Sequence, residues 1–444
     1  PNEKKRKEIT DKNSKKGGIK NIKILKELIK IRHENAKILG YKNFAHYVIE
    51  ERMAKKPEVV MCFLKDLEKK LIKPAKIERE EVAKLKQQLT GDKKAKLEYF
   101  DSYYVNQLKK NKFSVDNEKV REYFPFEKVK SGLFDVYQTL FGINFERVND
   151  FYLWHEDVEL YAVKDKGEIV SYFAMDLFPR EGKYGHAAMF PLISAREEVI
   201  EGESVYIAPF AALVCNFPKP RVDVPSLLSH GEVETLFHEF GHVMHGILTK
   251  ARFEAQSGTS VTWDFVEMPS QMLENWTWDR AILKKLSSHY KTGESLPDDL
   301  IDKMLSAKKF MNFSHYLRQV ILSTFDMQLH LKNPTKNIPD IYREMVKKSV
   351  SYDLPKDQLF PAGFGHIGSG GYAAGYYSYA WAESYAHDMF SRFEKEGLLN
   401  KKTGMDYRTW ILEKGSSMEE LDLIKGFLGR APNNKAFLKH IGLK

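Results

Sequence analysis

The chain has 444 residues, 43% hydrophobic and 13% aromatic, enough for a large buried core in one large domain or two to three smaller ones. Its net charge of +9 is concentrated at the start, where residues 1–30 hold 11 Lys/Arg against 4 Asp/Glu, or +7, leaving +2 for the remainder. There is no apolar run of membrane-spanning length and no signal-peptide pattern, and two distant cysteines, Cys62 and Cys215, argue against a disulfide framework and for a reducing cytoplasm.

Residues 1–18 are polar and end in Gly17-Gly18, so a frayed or disordered basic terminus is expected. No aromatic residue interleaves there to stack on bases, so nucleic acid is not an expected partner. Helical periodicity begins with Ile22, Leu25, Leu28 and Ile29, runs to Ile38, and meets a C-cap at Gly40. It resumes over residues 43–53. Pro57 opens a long helix through Leu64, Leu67 and Leu71, which Pro74 is expected to kink or break. A charged helix follows to Leu89 and stops at Thr90-Gly91-Asp92. Helical signals continue over 94–111 and 117–141, the last ended by Gly142.

Residues 143–217 change character, with alternating β-branched and aromatic residues. Glu159–Val163 and Ile169–Leu177, joined by Lys164-Asp165-Lys166-Gly167, read as a hairpin. His186–Ile193 and Val205–Phe217 read as further strands. An edge strand near Gly185–Met189, with His186, is placed to align an extended peptide by main-chain hydrogen bonds. Beyond residue 228 the pattern is helical almost to the end. With no repeat or linker in view, the expectation is one domain over 19–444: a helical lobe at 19–142, a small sheet at 143–217, and site-bearing helices at 218–444.

The segment Thr235–His245 carries the chemistry. His238 and His242 are four apart, so a helix stacks them on one face within reach of a single metal ion. Glu239 beside them can hold a water in the H-E-x-x-H zinc-hydrolase pattern. Gly241 costs the helix about 1 kcal/mol relative to alanine, which implies close approach by another element. His245 lies on the same face but about 10 Å along the axis from His238, too far to share the ion, so packing or support is expected of it. A third ligand is sought in Asp264–Trp276. Pro269 belongs near a helix start, which puts Glu267 in or close to the first turn, and Glu274 shares its face. Residue type leaves both open.

A last segment, His366–Trp381, is a glycine-rich loop entering an alanine-rich helix. Tyr372, Tyr376 and Tyr379 fall at i, i+4 and i+7, a stripe that alone would most simply be core packing. Phenols beside a glycine loop also suit stabilisation of an oxyanion.

His238-Glu239-Phe240-Gly241-His242, the Phe265–Trp276 segment and the His366–Trp381 block together resemble the thimet oligopeptidase family, which includes oligopeptidase A and dipeptidyl carboxypeptidase. The resemblance runs from about residue 20 to the C-terminus. It implies a mainly α, zincin-type peptidase with a small antiparallel sheet beside the active-site helix, hydrolysing short peptides with one zinc ion. It implies that His238, His242 and Glu267 bind zinc, that Glu239 is the catalytic base, and that Glu274, with Asp264 as a further candidate, orients a ligand. It assigns oxyanion stabilisation to His366, Tyr372 and Tyr379, and substrate contact to Tyr376 with Gly370 and Gly371. Family members carry a further helical segment, roughly their first third, ahead of the point where this chain starts. Internal cleavage by a monomer is expected, with dipeptidyl carboxypeptidase activity as the alternative. An inactive, zinc-stabilised binding protein is the reading outside the enzyme class; an intact Glu239 argues against it.

Overall fold

The computed structural model describes residues 2–149, 151–332, 336–350, 352–368 and 371–443. The chain is mainly helical, as expected, and its contacts group into two compact units. The first comprises Pro1–Val115, Ser306–Trp381 and Leu438–Lys444; the second comprises Asp116–Leu305 and Ala382–Phe437.

In the first unit, the described residues begin with a helix. Glu3–Asn13 is a helix capped by the Asn2 side chain. Arg6 is buried there because it has partners: its guanidinium bonds Asp101 at 3.0 Å and lies 4.4 Å from the centre of the Tyr104 ring. Lys86 holds the other Asp101 oxygen at 2.7 Å. Polarity alone had hidden these long-range pairings. Gly18–Ile38 buries Ile22, Leu25 and Ile29 as its periodicity predicted. Pro57–Thr90 runs unbroken through Pro74 and ends at Gly91, whose φ of 73° suits the left-handed cap. An interior proline costs a helix about 3 kcal/mol. Burial of Val60, Leu64, Leu67, Leu71 and Val82, with packing against the helix Asn312–Leu331, offsets it.

In the second unit, the stretch 117–141 is two helices, Asn117–Arg121 and Phe126–Phe141, parted where Pro125 lacks an N–H. Seven strands follow: β1 (Ile143–Val148), β2 (Glu159–Asp165), β3 (Glu168–Asp176), β4 (Ala188–Ile193), β5 (Arg196–Ile200), β6 (Glu203–Ile207) and β7 (Phe210–Val214). The β2–β3 hairpin turns at Lys166 and Gly167, with φ of 51° and 93°, the left-handed pair that a two-residue turn demands. The sheet order is β1-β2-β3-β7-β4, and β5–β6 form a separate hairpin. This sheet is mixed, not purely antiparallel. β7 lies parallel to β3 because the intervening 177–209 carry the chain back before it re-enters. β4 is left on the edge, antiparallel to β7.

Phe126–Phe141 and the helix His230–Ile247 cover this sheet. Phe240 sits at the centre, with ring centroids 5.0 Å from Tyr137, 5.2 Å from Phe173, 5.7 Å from Phe145 and 5.8 Å from Phe134. These contacts fix the helix rotation, and with it the direction of the opposite face.

Candidate metal centre

The helix His230–Ile247 starts with a capping box. Ser229 Oγ accepts from Glu232 N at 3.3 Å, and Glu232 Oε2 accepts from Ser229 N at 2.7 Å. Val233, Leu236, Phe237, Phe240, Val243, Met244 and Ile247 are buried on its sheet side. His238 and His242 fall on the other side, their ring centroids 5.0 Å apart and nearly perpendicular at 82°. Glu239, the residue between the rings' turns, is 9% exposed.

Glu267 is the first residue of the helix Glu267–Glu274, as Pro269 foretold. Gly241 is what lets that helix in: a Cβ there would stand 2.8 Å from Ser270 Cα and 3.4 Å from Pro269 O. Across this contact Glu267 Oε2 lies 3.4 Å from His238 Nε2 and 3.3 Å from His242 Nε2. Ligand atoms held about 2.0–2.1 Å from a tetrahedral ion stand about 3.3–3.4 Å from one another. The donor set and its spacing therefore fit one such ion, and His238, His242 and Glu267 form a group that could hold it. His238 Nδ1 donates to Glu274 Oε1 at 2.6 Å, which turns Nε2 toward the ligand side.

Without an ion the charged groups answer one another. Burial alone would lower His238, but Glu267 and Glu274 outweigh it and hold the imidazole well above its usual range. Burial would likewise raise Glu267, but His238 and His242 hold it well below the carboxylate range. Glu274 is pushed up by burial, with Glu234 and Glu383 adding to the push against His238.

The other sequence candidates separate. His245 is fully buried against Phe265 and outside the ligand group; burial first, and His242 second, lower it to about 3. Asp264 is fully buried but is not one of the ligand group. Burial, then Asp264 and Asp388, raise Tyr385 to about 12. His186 is exposed, precedes β4, and offers its carbonyl to Asn216 at 3.4 Å.

In the first unit, His366 and the three tyrosines do come together. His366 lies 5.6, 5.2 and 6.0 Å, centroid to centroid, from Tyr372, Tyr376 and Tyr379. Tyr372 and Tyr379 stack at 4.9 Å. They are not a helical stripe, because the helix begins only at Ser378 and residues 371–377 are turns with Ala374 at φ 54°. Burial raises Tyr376, against a smaller lowering by Arg318, and partial desolvation lowers His366. Gly371 is exposed, with its carbonyl held by Arg52 at 3.3 Å. Gly370 lies outside the described residues.

Comparison with known proteins agrees with this picture. The profile of Peptidase family M3 matches residues 1–443. A thimet-like oligopeptidase of Dictyostelium discoideum is 40% identical over 438 residues, 95% of this chain and 64% of that protein. Oligopeptidase A of Escherichia coli is 40% identical over 435 residues, 96% and 62% respectively. Among solved structures, PZ peptidase A with an inhibitor matches 95% of this chain and 64% of its own with a TM-score of 0.54 at 18% identity, which speaks to the fold alone. The chain spans a little under two thirds of the length of the curated relatives it matches. With the motif helices, the ligand geometry and a whole-length profile in agreement, the chain belongs to peptidase family M3.

Proposed function

We propose that this chain is a zinc-dependent oligopeptidase that hydrolyses internal bonds of short peptides. The observation that carries the reading is the His238, His242 and Glu267 group at tetrahedral spacing, with Glu239 beside it, in a chain of family M3. A bound zinc ion supplies Lewis acidity that polarises a carbonyl and makes water acidic near neutral pH. Glu239 takes the proton from water at a carboxylate oxygen and passes it to the departing amine. Glu274 keeps the His238 ring oriented through Nδ1. The edge strand β4 offers unpaired main-chain groups to an extended peptide. For His366, Tyr372 and Tyr379 we carry over the role that the family implies, donors to the oxyanion, with Tyr376 contacting substrate.

We also propose action as a monomer in the cytoplasm. The free thiols Cys62 and Cys215, and relatives that include a protein described as a probable cytosolic oligopeptidase A, support the location. No helix among the described residues is long and apolar enough to cross a membrane.

The test is incubation with a short, free-ended peptide, with and without a zinc chelator, followed by mass spectrometry. Chelator-sensitive internal cuts support the reading. Dipeptides released only from the C-terminus replace it with a dipeptidyl carboxypeptidase. No cleavage by zinc-loaded protein overturns it for this chain.

A further inference from the structure

We propose that Asp326, backed by His330 and Arg32, is a positioning residue that sets the turn carrying Tyr372 and Tyr376 and leading into the helix that carries Tyr379. All lie in the first unit, and the inference rests on the peptidase reading above.

Asp326 is fully buried on the helix Asn312–Leu331. Its carboxylate serves the backbone of the tyrosine turn. Oδ1 accepts from Ala374 N at 2.9 Å, and Oδ2 accepts from Gly375 N at 2.8 Å and Tyr376 N at 2.9 Å. Three successive N–H groups converging on one anion, with a left-handed residue at their start, make an anion-binding nest. The left-handed residue is Ala374, at φ 54°, where a side chain is disfavoured. A strained turn persists when its surroundings over-determine it, and here a buried negative charge does so.

Its support extends to the other flank of the loop. His330, also fully buried and one turn along the same helix, brings Nδ1 within 2.8 Å of Asp326 Oδ1 and within 2.9 Å of the Asp326 main-chain carbonyl. His330 Nε2 lies 3.2 Å from the Arg32 guanidinium. Because Arg32 can only donate, Nε2 accepts, which leaves the ring proton on Nδ1 facing Asp326. Arg32 also donates to Ile367 O at 2.7 Å and to Gly368 O at 3.4 Å, the residues directly after His366. One chain of contacts thus ties the His366 flank to the tyrosine turn. Arg52 closes over the turn itself: a Cβ at Gly375 would stand 2.2 Å from its Nη1, so a larger residue there would displace the guanidinium.

The consequence for chemistry is orientation. A hydrogen-bond donor aimed at developing charge loses its effect when displaced, by as much as about 100-fold for about 1 Å. Asp326→Asn replaces one acceptor oxygen with a donor that must face an N–H or the His330 proton, so the nest cannot stay satisfied.

The test compares the parent protein, Asp326→Asn, Tyr379→Phe and the double variant, each with zinc content measured, on an internally quenched short peptide. Asp326→Asn is expected to lower kcat by about tenfold or more, with KM within about threefold and zinc unchanged. Tyr379→Phe is expected to lose far less activity in the Asp326→Asn background than in the parent, because the phenol is already misplaced. A merely structural Asp326 predicts lower stability with unchanged kcat per folded chain and equal Tyr379→Phe losses in both backgrounds, and that result overturns the proposal. Should Asp326→Asn not fold, Arg32→Gln at the half-buried end gives the same comparison. If the parent itself cleaves no peptide, the peptidase reading fails separately. Amide exchange then decides this one: faster exchange at residues 374–376 with the metal helix unchanged supports it, and unaltered exchange overturns it.

Discussion

Gly241→Ala tests the link between sequence and metal centre at its narrowest point. The added Cβ would lie 2.8 Å from Ser270 Cα, a main-chain atom of a fully buried residue. Carbon atoms settle about 3.5–4.0 Å apart, so the helix Glu267–Glu274 must retreat by about 0.7–1.2 Å or tilt by a similar amount at that point. For overall stability the effects oppose each other: alanine gains about 1 kcal/mol of helix propensity, and overpacking costs about 1–3 kcal/mol. The net destabilisation is therefore at most about 2 kcal/mol. The metal centre has no such offset. Glu267 rides on the displaced helix, and its 3.3 and 3.4 Å spacings to His242 and His238 set the ligand triangle. Metal sites tolerate only about 0.2 Å in ligand distance. Zinc affinity should fall by about tenfold or more, while unfolding of the metal-free protein shifts little. A chelator competition titration measures the first, and thermal unfolding of the metal-free form measures the second. Zinc affinity within about threefold of the parent would show that the close approach at Gly241 does not set the ligand geometry.

Three further outcomes are expected. Glu274→Gln removes the charged partner of His238 Nδ1 and should weaken zinc binding by about 10–100-fold in the same titration. Phe240→Ala empties the fully buried ring position between sheet and metal helix and should destabilise the protein by about 3–5 kcal/mol in denaturant unfolding. Asp176→Asn concerns acid stability. Burial would raise Asp176, but Arg180, Trp154 and Lys183 outweigh it and hold the carboxyl at about 2, below the ordinary 3.8. The charged form thus stabilises the fold fully above pH 3.8, and that contribution fades as pH falls through 2. The variant should unfold more readily than the parent at neutral pH and converge with it near pH 2; a constant gap down to that pH would contradict the assignment.

What the sequence made legible was local. The four-residue spacing of His238 and His242 needs only a helix, and the buried positions from Val233 to Ile247 repeat at the helical period. Pro269 marked a helix start, and the Lys166-Gly167 turn marked a hairpin, because both act through their own backbone. The cost at Gly241 correctly announced a close neighbour. What stayed hidden depends on partners distant in sequence. Pairing of β7 parallel to β3 is decided by the path of residues 177–209, not by the strands themselves. Arg6 is buried only because Asp101 waits 95 residues on. Asp326 sits in a helix stretch with no motif around it, and its role depends on amides 48–50 residues away. The tyrosine spacing suggests one helix face, whereas residues 371–377 turn, with Ala374 left-handed, and the rings still meet.

The most direct measurement is zinc stoichiometry and peptide hydrolysis on one preparation each of the parent and Glu239→Gln. The account predicts about one zinc per chain in both. It predicts chelator-sensitive hydrolysis, restored by added zinc, in the parent, and loss of that activity in Glu239→Gln. Hydrolysis that survives in zinc-loaded Glu239→Gln, or a parent that binds no zinc at His238, His242 and Glu267, would contradict it.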